Sequence, residues 1–258
     1  MIKFFRKIRK KQLSNDKFVS YLVYSIGEII LVVIGILIAL QINNWSEYNK
    51  QREKEEAILE NLRISLKKDL LTHDFHINVF NEAKSSIQFL LNFMEKDGEY
   101  QDSLKYHFGR TTHLWNPVIK LEIFENLKSV GFEIISNKDL RNDILSYYSF
   151  ATTDFIIQKN RYDEIINSAS ANLFNTRFKA FYSGNYDLFR KTDVPADLAI
   201  EMTPNDFESL KNDDEYLYFL RSLHNQHYWL AERNNLNAKT MAENLLQKVN
   251  KELMEFKE

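Results

Sequence analysis

The chain contains no cysteine, and it has few of the two residues that interrupt helices, with only six glycines and three prolines among 258 residues. The absence of cysteine excludes disulfide bridges, thiolate metal ligands, cysteine nucleophiles and lipid chains attached to cysteine. The scarcity of Gly and Pro leaves three long uninterrupted segments, at residues 44–97, 137–183 and 212–257. Apolar residues recur in each at steps of three and four, which predicts amphipathic helices rather than strands.

These segments predict an all-α protein without strands. Three helices of this length are each about 65–70 Å long, and none can bury its apolar stripe alone. We therefore expect a bundle of long antiparallel helices, with Ser136 as the N-cap of the second. The third is expected to start at Asn212, where the following acids Asp213, Asp214 and Glu215 suit the positive end of the helix dipole. Short connecting helices are predicted at residues 103–109, 118–130 and 204–211, the last with Thr203 as its N-cap.

The apolar stripe of each long helix can be read from the same spacing. For the first helix the predicted stripe contains Ile58, Leu62, Leu66, Leu70, Ile77, Phe80, Ala83, Ile87, Leu90 and Met94. For the second it contains Leu140, Ile144, Tyr147, Tyr148, Ala151, Phe155 and Tyr162. For the third it contains Tyr216, Phe219, Leu220, Leu223, Tyr228, Leu236, Met241 and Leu245.

Charge is distributed unevenly, although the net charge of the chain is only −2. The first 18 residues hold seven basic residues and one acidic residue, and the remainder holds 27 basic against 35 acidic residues. The acidic remainder argues against a nucleic-acid partner, because phosphate binding depends on clustered Lys and Arg. The basic head instead predicts contact with a membrane surface through Lys3, Arg6, Lys7, Arg9, Lys10 and Lys11. It is either a short interfacial helix or a disordered tail that only sets topology.

An almost entirely apolar segment runs from Tyr21 to Ile42. A helix of this length covers about 33 Å, which is enough for the roughly 30 Å hydrocarbon core of a bilayer. The segment is too long for a cleaved signal peptide, and no small-residue cleavage site follows it. We therefore predict an uncleaved signal anchor whose basic head stays in the cytoplasm by the positive-inside rule.

This topology divides the chain into three parts. Residues 1–18 form the basic cytoplasmic head, residues 19–43 form the transmembrane helix, and residues 44–258 form an extracytoplasmic helical bundle. No breaker separates the second part from the third, so one helix is expected to continue from the bilayer into the bundle. In a Gram-negative bacterium the anchor would lie in the inner membrane and the bundle in the periplasm.

One carboxylate, Glu28, lies within the apolar segment. At 100° per residue, Glu28, Gly35 and Ala39 fall within about 40° of each other on the helix. A polar group aligned with small residues is typical of a close contact between membrane helices. We predict that this face associates with a second copy of the chain or with another membrane protein. The alternative is a tolerated carboxylate that reaches the interface by snorkelling.

A second distinctive stretch, LEIFENLKSVGFEIISNKDLRNDILSYY, occupies residues 121–148. We interpret it as a helix that ends at Gly131, a tight connection, and a new helix capped by Ser136. Glu125, Lys128 and Arg141 are predicted to form charge pairs that hold this corner together. The corner is either structural or a site for a ligand or partner.

Both distinctive stretches resemble a family of Bacteroidota single-pass membrane proteins that is known only as a domain of unknown function. In the second stretch, Phe124 stands where the family has tyrosine, and Val130 stands where it has a small residue. The resemblance implies a single-pass membrane protein and agrees with the predicted topology, but it implies no activity. The N-terminal match rests on Gly27, Glu28, Gly35, Ala39, Gln41, Asn43, Asn44 and Trp45.

The sequence offers little for catalysis. Two histidine pairs, His73 with His76 and His224 with His227, have a spacing that can bring two imidazoles to one metal ion. The Glu-x-x-His signature of di-iron bundles is absent, as are HExxH, Walker A, G-x-S-x-G and GxGxxG motifs. We therefore predict no cofactor, no metal site and no enzymatic activity.

The predicted function is that of a non-enzymatic scaffold, accessory subunit or interaction module held in the membrane by one helix. One alternative is a ligand-sensing bundle that signals through a membrane partner, since about 18 residues on the cytoplasmic side are too few for a signalling domain. The other alternative is a metal-binding or enzymatic helical domain.

Overall fold

The computed structural model describes residues 18–112, 119–181, 183–184 and 200–256. These residues are almost entirely helical, which confirms the predicted all-α class. Residues 1–17, which contain every basic residue of the predicted head, lie outside the described residues. The chain divides into two compact units, Met1–Glu55 and Glu56–Glu258.

Helices follow one another along the described chain with short connections. The α-helices are α1 (Phe18–Glu95), α2 (Leu104–Arg110), α3 (Glu122–Val130), α4 (Lys138–Thr152), α5 (Asp154–Ala169), α6 (Asn175–Arg177), α7 (Phe207–Lys211), α8 (Asp214–Gln226) and α9 (Arg233–Glu255). Two π-helical segments interrupt this series, π1 (Ser170–Phe174) and π2 (His227–Glu232), and a 3₁₀ turn spans Phe132–Ile134. As predicted, α1 is continuous from the apolar segment onward.

One short strand pair departs from the prediction of a protein without strands. β1 (Ser183–Gly184) pairs antiparallel with β2 (Ile200–Glu201), with Ser183 opposite Glu201. Two residues per strand are too few to produce an alternating pattern in the sequence, so periodicity gave no sign of them. The backbone of Gly109 in α2 comes close to β2, because a Cβ at this position would lie 2.3 Å from the carbonyl oxygen of Ile200.

The predicted N-caps are wrong by one residue or more. The caps are Asn137 rather than Ser136 for α4 and Asp206 rather than Thr203 for α7. Asp213 caps α8, whose segment was predicted to start at Asn212. Each cap has an extended backbone and accepts two amide N–H groups of the first turn with its side chain. Asn and Asp are among the strongest caps, and the neighbouring candidates lose this role to them.

The second and third long segments are not continuous α-helices. Thr153 separates α4 from α5, with φ −119° and ψ −73°, outside the usual helical values. The helical run then ends at Arg177 rather than at Gly184, where the sequence predicted its end. In the third segment π2 separates α8 from α9.

Contacts between helices establish their directions within the unit Glu56–Glu258. Asp74 of α1 pairs with Lys239 at 2.7 Å, and Lys84 further along α1 pairs with Glu232 at 3.2 Å, so α1 runs antiparallel to the segment π2–α9. By contrast, α1 is parallel to α4 and α5, because Asp69 contacts Tyr147 and the later Phe80 contacts the later Tyr162. The chain makes this parallel return through α2 and α3.

Two hydrophobic clusters form the interior of this unit. The first, core A, joins α1, α3, α4 and α9 around Leu59, Leu62, Leu66, Ile144, Tyr148, Leu245 and Val249. The second, core B, joins α1, α2, α5, α8 and neighbouring segments around Phe80, Ile87, Leu90, Phe108, Phe155, Tyr162, Tyr216 and Leu220. The stripe predicted for the second long segment is buried throughout, as expected.

The stripe predicted for α1 is wrong at its centre. Leu70 and Ile77 are only half-buried, whereas Asp69, His73 and His76 are buried. The buried face of α1 follows positions 66, 69, 73, 76 and 80, so three polar residues occupy the stretch between cores A and B. The prediction followed apolar residue type, and the helix geometry placed polar residues inward instead.

The stripe predicted for the third segment is also wrong around π2. Tyr228 and Leu236 are each 43% exposed. The buried positions there recur every four residues, from Leu223 through His227 and Ala231 to Asn235. A π-helical turn is wider than an α-helical turn, and it therefore rotates Tyr228 away from the core.

Candidate functional site

The apolar part of α1 is the most exposed hydrophobic surface among the described residues. Large apolar side chains between Ile29 and Ile42 are 47–73% exposed. The helix is long and apolar enough to cross a membrane, with a mean hydropathy of 2.5 in a window that is 0% buried. This finding rests on length and composition alone.

The predicted association face lies in this part of α1. Glu28, Gly35 and Ala39 are exposed, and their spacing places them on one side of the helix. A Cβ added at Gly27 or Gly35 would meet no heavy atom within 4 Å. Both glycines therefore leave room for another helix or a lipid chain, and the association itself stays a prediction.

The corner between α3 and α4 is built around Gly131. This glycine ends α3 with φ 94°, a conformation that L-residues rarely adopt. The guanidinium of Arg141 donates from Nε and Nη2 to the carbonyl oxygen of Ile135, at 3.2 and 2.8 Å. Arg141 therefore holds the connection through a backbone carbonyl. The structure shows this contact in place of the charge pair that was predicted for Arg141.

The other two charged residues of the corner pair within one helix. Lys128 donates to Glu125 at 2.8 Å, one turn apart on the exposed face of α3. This pair does not tie α3 to another element. The link to the rest of the bundle comes from Asn137, whose Nδ2 donates to Glu252 of α9 at 2.7 Å.

Asp69 is the first of the buried polar residues on α1 between the two cores. Its Oδ1 accepts the backbone N–H of Lys120, and its Oδ2 accepts the hydroxyl of Tyr147, each at 3.0 Å. Burial without a paired cation raises the pKa of the Asp69 carboxyl to about 6, although both hydrogen bonds act against this shift.

His73 lies one turn further along α1 and is fully buried. Its ring packs edge-on against Phe155, with the ring centroids 5.7 Å apart. Burial lowers the pKa of His73 to about 4. The side chain of Asn235 lies next to the ring and acts against this lowering of the pKa, although it lies outside strict hydrogen-bond geometry. Among the described residues, neither ring nitrogen of His73 has a hydrogen-bond partner.

Two further polar groups complete this region. Asn235 of α9 donates from Nδ2 to the carbonyl oxygen of Ala231 at 2.9 Å. His227 begins π2 and lies 3.2 Å from the hydroxyl of Tyr162 on α5. We call Asp69, His73, His76 and Asn235 the polar layer. The stripe predicted for α1 did not include these residues. The spacing of positions 69, 73 and 76 nevertheless matches the buried stripe, so it could have indicated their burial.

A groove of about 410 Å³ lies between α1 and the start of α3. Lys68 and Lys120 are among its lining residues, and the backbone N–H of Lys120 donates to Asp69. The remaining lining residues are Asn61, Ile64, Ser65, Glu122, Ile123 and Asn126. Two ammonium groups against one carboxylate give the groove a net positive lining.

The two histidine pairs do not assemble into one site. His73 and His76 belong to the polar layer on α1, whereas His227 faces Phe80 and Tyr162, and His224 lies at the end of α8. In the part of the chain that the structure describes, no group of three or more His, Asp or Glu side chains is placed to hold a metal ion.

These features define a helical protein whose first helix carries one long apolar segment. The chain belongs to a family of unknown function, DUF6090, whose sequence profile matches residues 28–185. The match covers the predicted association face, the corner and the α1 part of the polar layer, but not α8 or α9. No curated protein and no solved structure matches the chain.

Proposed function

We propose that this protein is anchored in the inner membrane by one helix and holds its helical bundle in the periplasm. The apolar segment of α1 carries this proposal. Eleven large apolar side chains between Ile29 and Ile42 are exposed. At about 1 kcal/mol for each half-exposed side chain, contact with water would cost on the order of 10 kcal/mol, which is comparable to the whole stability of a domain. A bilayer removes this cost.

The orientation follows from charge. The basic head precedes the apolar segment, and basic residues next to a span stay in the cytoplasm. Trp45 follows the segment and is 66% exposed, as expected of an aromatic residue at the far interface.

Within this topology the protein acts as a scaffold, accessory subunit or interaction module. Its partner is a second copy or another membrane protein, bound through Glu28, Gly35 and Ala39. Small residues allow two helix backbones to approach closely, and a carboxylate inside the bilayer is stabilised by a polar partner.

A photoactivatable cross-linking residue tests this interaction surface in the native membrane. Placed at Ala39 it is expected to yield a discrete cross-linked product with a second copy or another membrane protein. Placed at Leu37, on the opposite side of the helix, it is expected to yield lipid adducts and much less product. Equal products at both positions would contradict the assignment of the face.

A second candidate function is ligand sensing by the bundle, and the groove between α1 and α3 is the observation that favours it. Its two lysines suit a small anionic ligand. Calorimetric titration of the full-length protein with a panel of small carboxylates and inorganic phosphate tests this candidate. Binding that is lost in Lys120→Ala and kept in Lys67→Ala supports it, and no heat in any titration counts against it.

A further inference from the structure

Two buried titratable groups on α1 face different parts of the bundle. Asp69 contacts Tyr147 of α4 and the backbone of Lys120 before α3. His73, one turn later, contacts Phe155 of α5 and lies next to Asn235 of α9. Both side chains are 0% exposed, and both lie between cores A and B.

We propose that Asp69 and His73 form a two-way proton-responsive joint between α1 and its neighbours. Acid loosens the contact of α1 with α5 and α9, because His73 gains a proton when that contact opens. Rising pH loosens the contact of α1 with α4 and the segment before α3, because Asp69 loses a proton when that contact opens. The proposal is independent of the membrane topology.

The His73 side of the joint has little to offset a positive charge. Phe155 is apolar, and neither ring nitrogen has a hydrogen-bond partner among the described residues. The charged groups that act on the imidazole are Asp74 and Lys239, which oppose each other and pair at 2.7 Å on the surface. The closed joint therefore keeps His73 neutral, with a pKa of about 4. When the contact opens, the pKa of His73 returns to its ordinary value of 6.5. Between these two pKa values, opening becomes about tenfold more frequent for each unit by which the pH falls.

The Asp69 side responds in the opposite sense. The groups that face this carboxyl are the amide and charge of Lys120, the hydroxyl of Tyr147 and the carboxylate of Glu122. Tyr148, on the same helix as Tyr147, is also close enough to feel its charge. The closed joint keeps Asp69 protonated below a pKa of about 6, whereas the ordinary value is 3.8. Opening of this contact becomes about tenfold more frequent per unit of rising pH in this range.

The two responses are separable because they involve different helices. Thr153 divides α4 from α5 between the two contacts. A break in the helix allows α5 to move without α4. Likewise α9 reaches the joint through Asn235, in its first turn after π2, and π-helical turns are frequent at functional sites.

Hydrogen exchange of the full-length protein in detergent micelles, read by mass spectrometry between pH 4.5 and 6, tests the joint. After correction for intrinsic exchange rates, peptides from 154–162 and 233–239 are expected to open about tenfold more often per unit of falling pH. Peptides from 119–127 and 138–148 are expected to open about tenfold more often per unit of rising pH. The wild-type profile decides the question without any variant. Both groups of peptides changing in the same direction, or neither changing, would overturn the proposal.

Two variants assign the effect to the two residues. In His73→Gln the pH response of the first group of peptides is expected to disappear while that of the second remains. In Asp69→Asn the reverse is expected. His224→Gln, a change of the same kind at a half-buried position outside the polar layer, is expected to leave both responses intact. A response that survives in the variant of its own residue contradicts the assignment.

Discussion

The hydroxyl of Tyr147 donates to Oδ2 of Asp69 at 3.0 Å and joins α4 to α1 across 78 residues of sequence. The other oxygen of the same carboxyl accepts the backbone N–H of Lys120, so one buried side chain positions two other elements. Hydrogen bonds of this kind are the usual means of accommodating a buried polar group. The bundle therefore has a polar connection at the place where its two apolar cores meet.

Tyr147→Phe removes the donor and keeps the ring. We expect the free energy of unfolding to fall by about 1–3 kcal/mol, because Oδ2 of Asp69 stays buried without its partner. Urea denaturation of the full-length protein in detergent, followed by circular dichroism, measures the change. The pKa of Asp69 should also rise further, since the lost bond lowers it in the wild type.

Tyr218→Phe is the matched control, because Tyr218 is 72% exposed. The same loss of a hydroxyl there is expected to change stability by less than about 0.5 kcal/mol. An equal effect at both positions would show that the bond to Asp69 contributes nothing specific.

The pH dependence of stability provides a second test of the polar layer. At pH 5 the folded protein carries one proton on Asp69 and none on His73, whereas the unfolded chain carries one on His73 and none on Asp69. The contributions of the two groups to the pH dependence therefore cancel. We expect each single substitution to uncover the contribution of the remaining group.

The signs are opposite for the two variants. Asp69→Asn leaves His73, whose folded pKa is lowered, so stability relative to wild type should rise with pH between about 4 and 6. His73→Gln leaves Asp69, whose folded pKa is raised, so relative stability should fall over the same range. Each slope should approach about 1.4 kcal/mol per pH unit. Urea denaturation at several pH values measures both, and parallel curves for the three proteins would disprove the opposing shifts.

Asn137→Ala tests the cap of α4. Asn137 accepts the amides of Asp139 and Leu140 and also donates to Glu252 of α9. We expect a loss of about 1–2 kcal/mol in the free energy of unfolding. Ser136→Ala, at the position that the sequence favoured as the cap, should have a smaller effect in the same denaturation experiment. A larger loss at Ser136 would restore the sequence-based assignment.

Gly35→Leu tests the association face of the apolar segment. A Cβ at Gly35 meets no heavy atom within 4 Å apart from its own helix backbone, so α1 should stay intact while a close approach of a second helix is blocked. Cross-linked oligomers or complexes on denaturing gels are expected to decrease severalfold, and Glu28→Leu is expected to act in the same direction. Gly27→Leu makes the same change about 80° away from Gly35 around the helix and should have little effect. Normal cross-linking in both Gly35→Leu and Glu28→Leu would remove this face from the account.

Strong apolar periodicity made the helices predictable from the sequence. Single buried polar residues made the buried side of some helices harder to predict. The stripe predicted for α4 and α5 is correct between Leu140 and Tyr162, because every buried position there is apolar or aromatic. In α1 the same reasoning selected Leu70 over Asp69, since residue type was used to define the buried side. The packing of the helix determines its buried side over the whole length. Polar residues that fall on this side are therefore buried with the apolar ones.

Local geometry explains the remaining differences. Whether Ser136 or Asn137 caps α4 depends on which residue has the extended backbone, and both types are favoured caps. π2 rotates Tyr228 outward, and no residue pattern marks a π-helical turn. The tie from Tyr147 to Asp69 spans 78 residues, and single-sequence periodicity contains no information on such distant pairs.

The location of the C-terminus shows directly whether a single helix anchors the protein with its bundle in the periplasm. Alkaline phosphatase and green fluorescent protein, each fused after Glu258 of the full-length chain, report the two sides of a bacterial inner membrane. We expect an active phosphatase fusion and a dark fluorescent protein fusion, both in the membrane fraction after alkaline carbonate extraction. An inactive phosphatase with a fluorescent partner fusion, or release of the protein by carbonate, would contradict it.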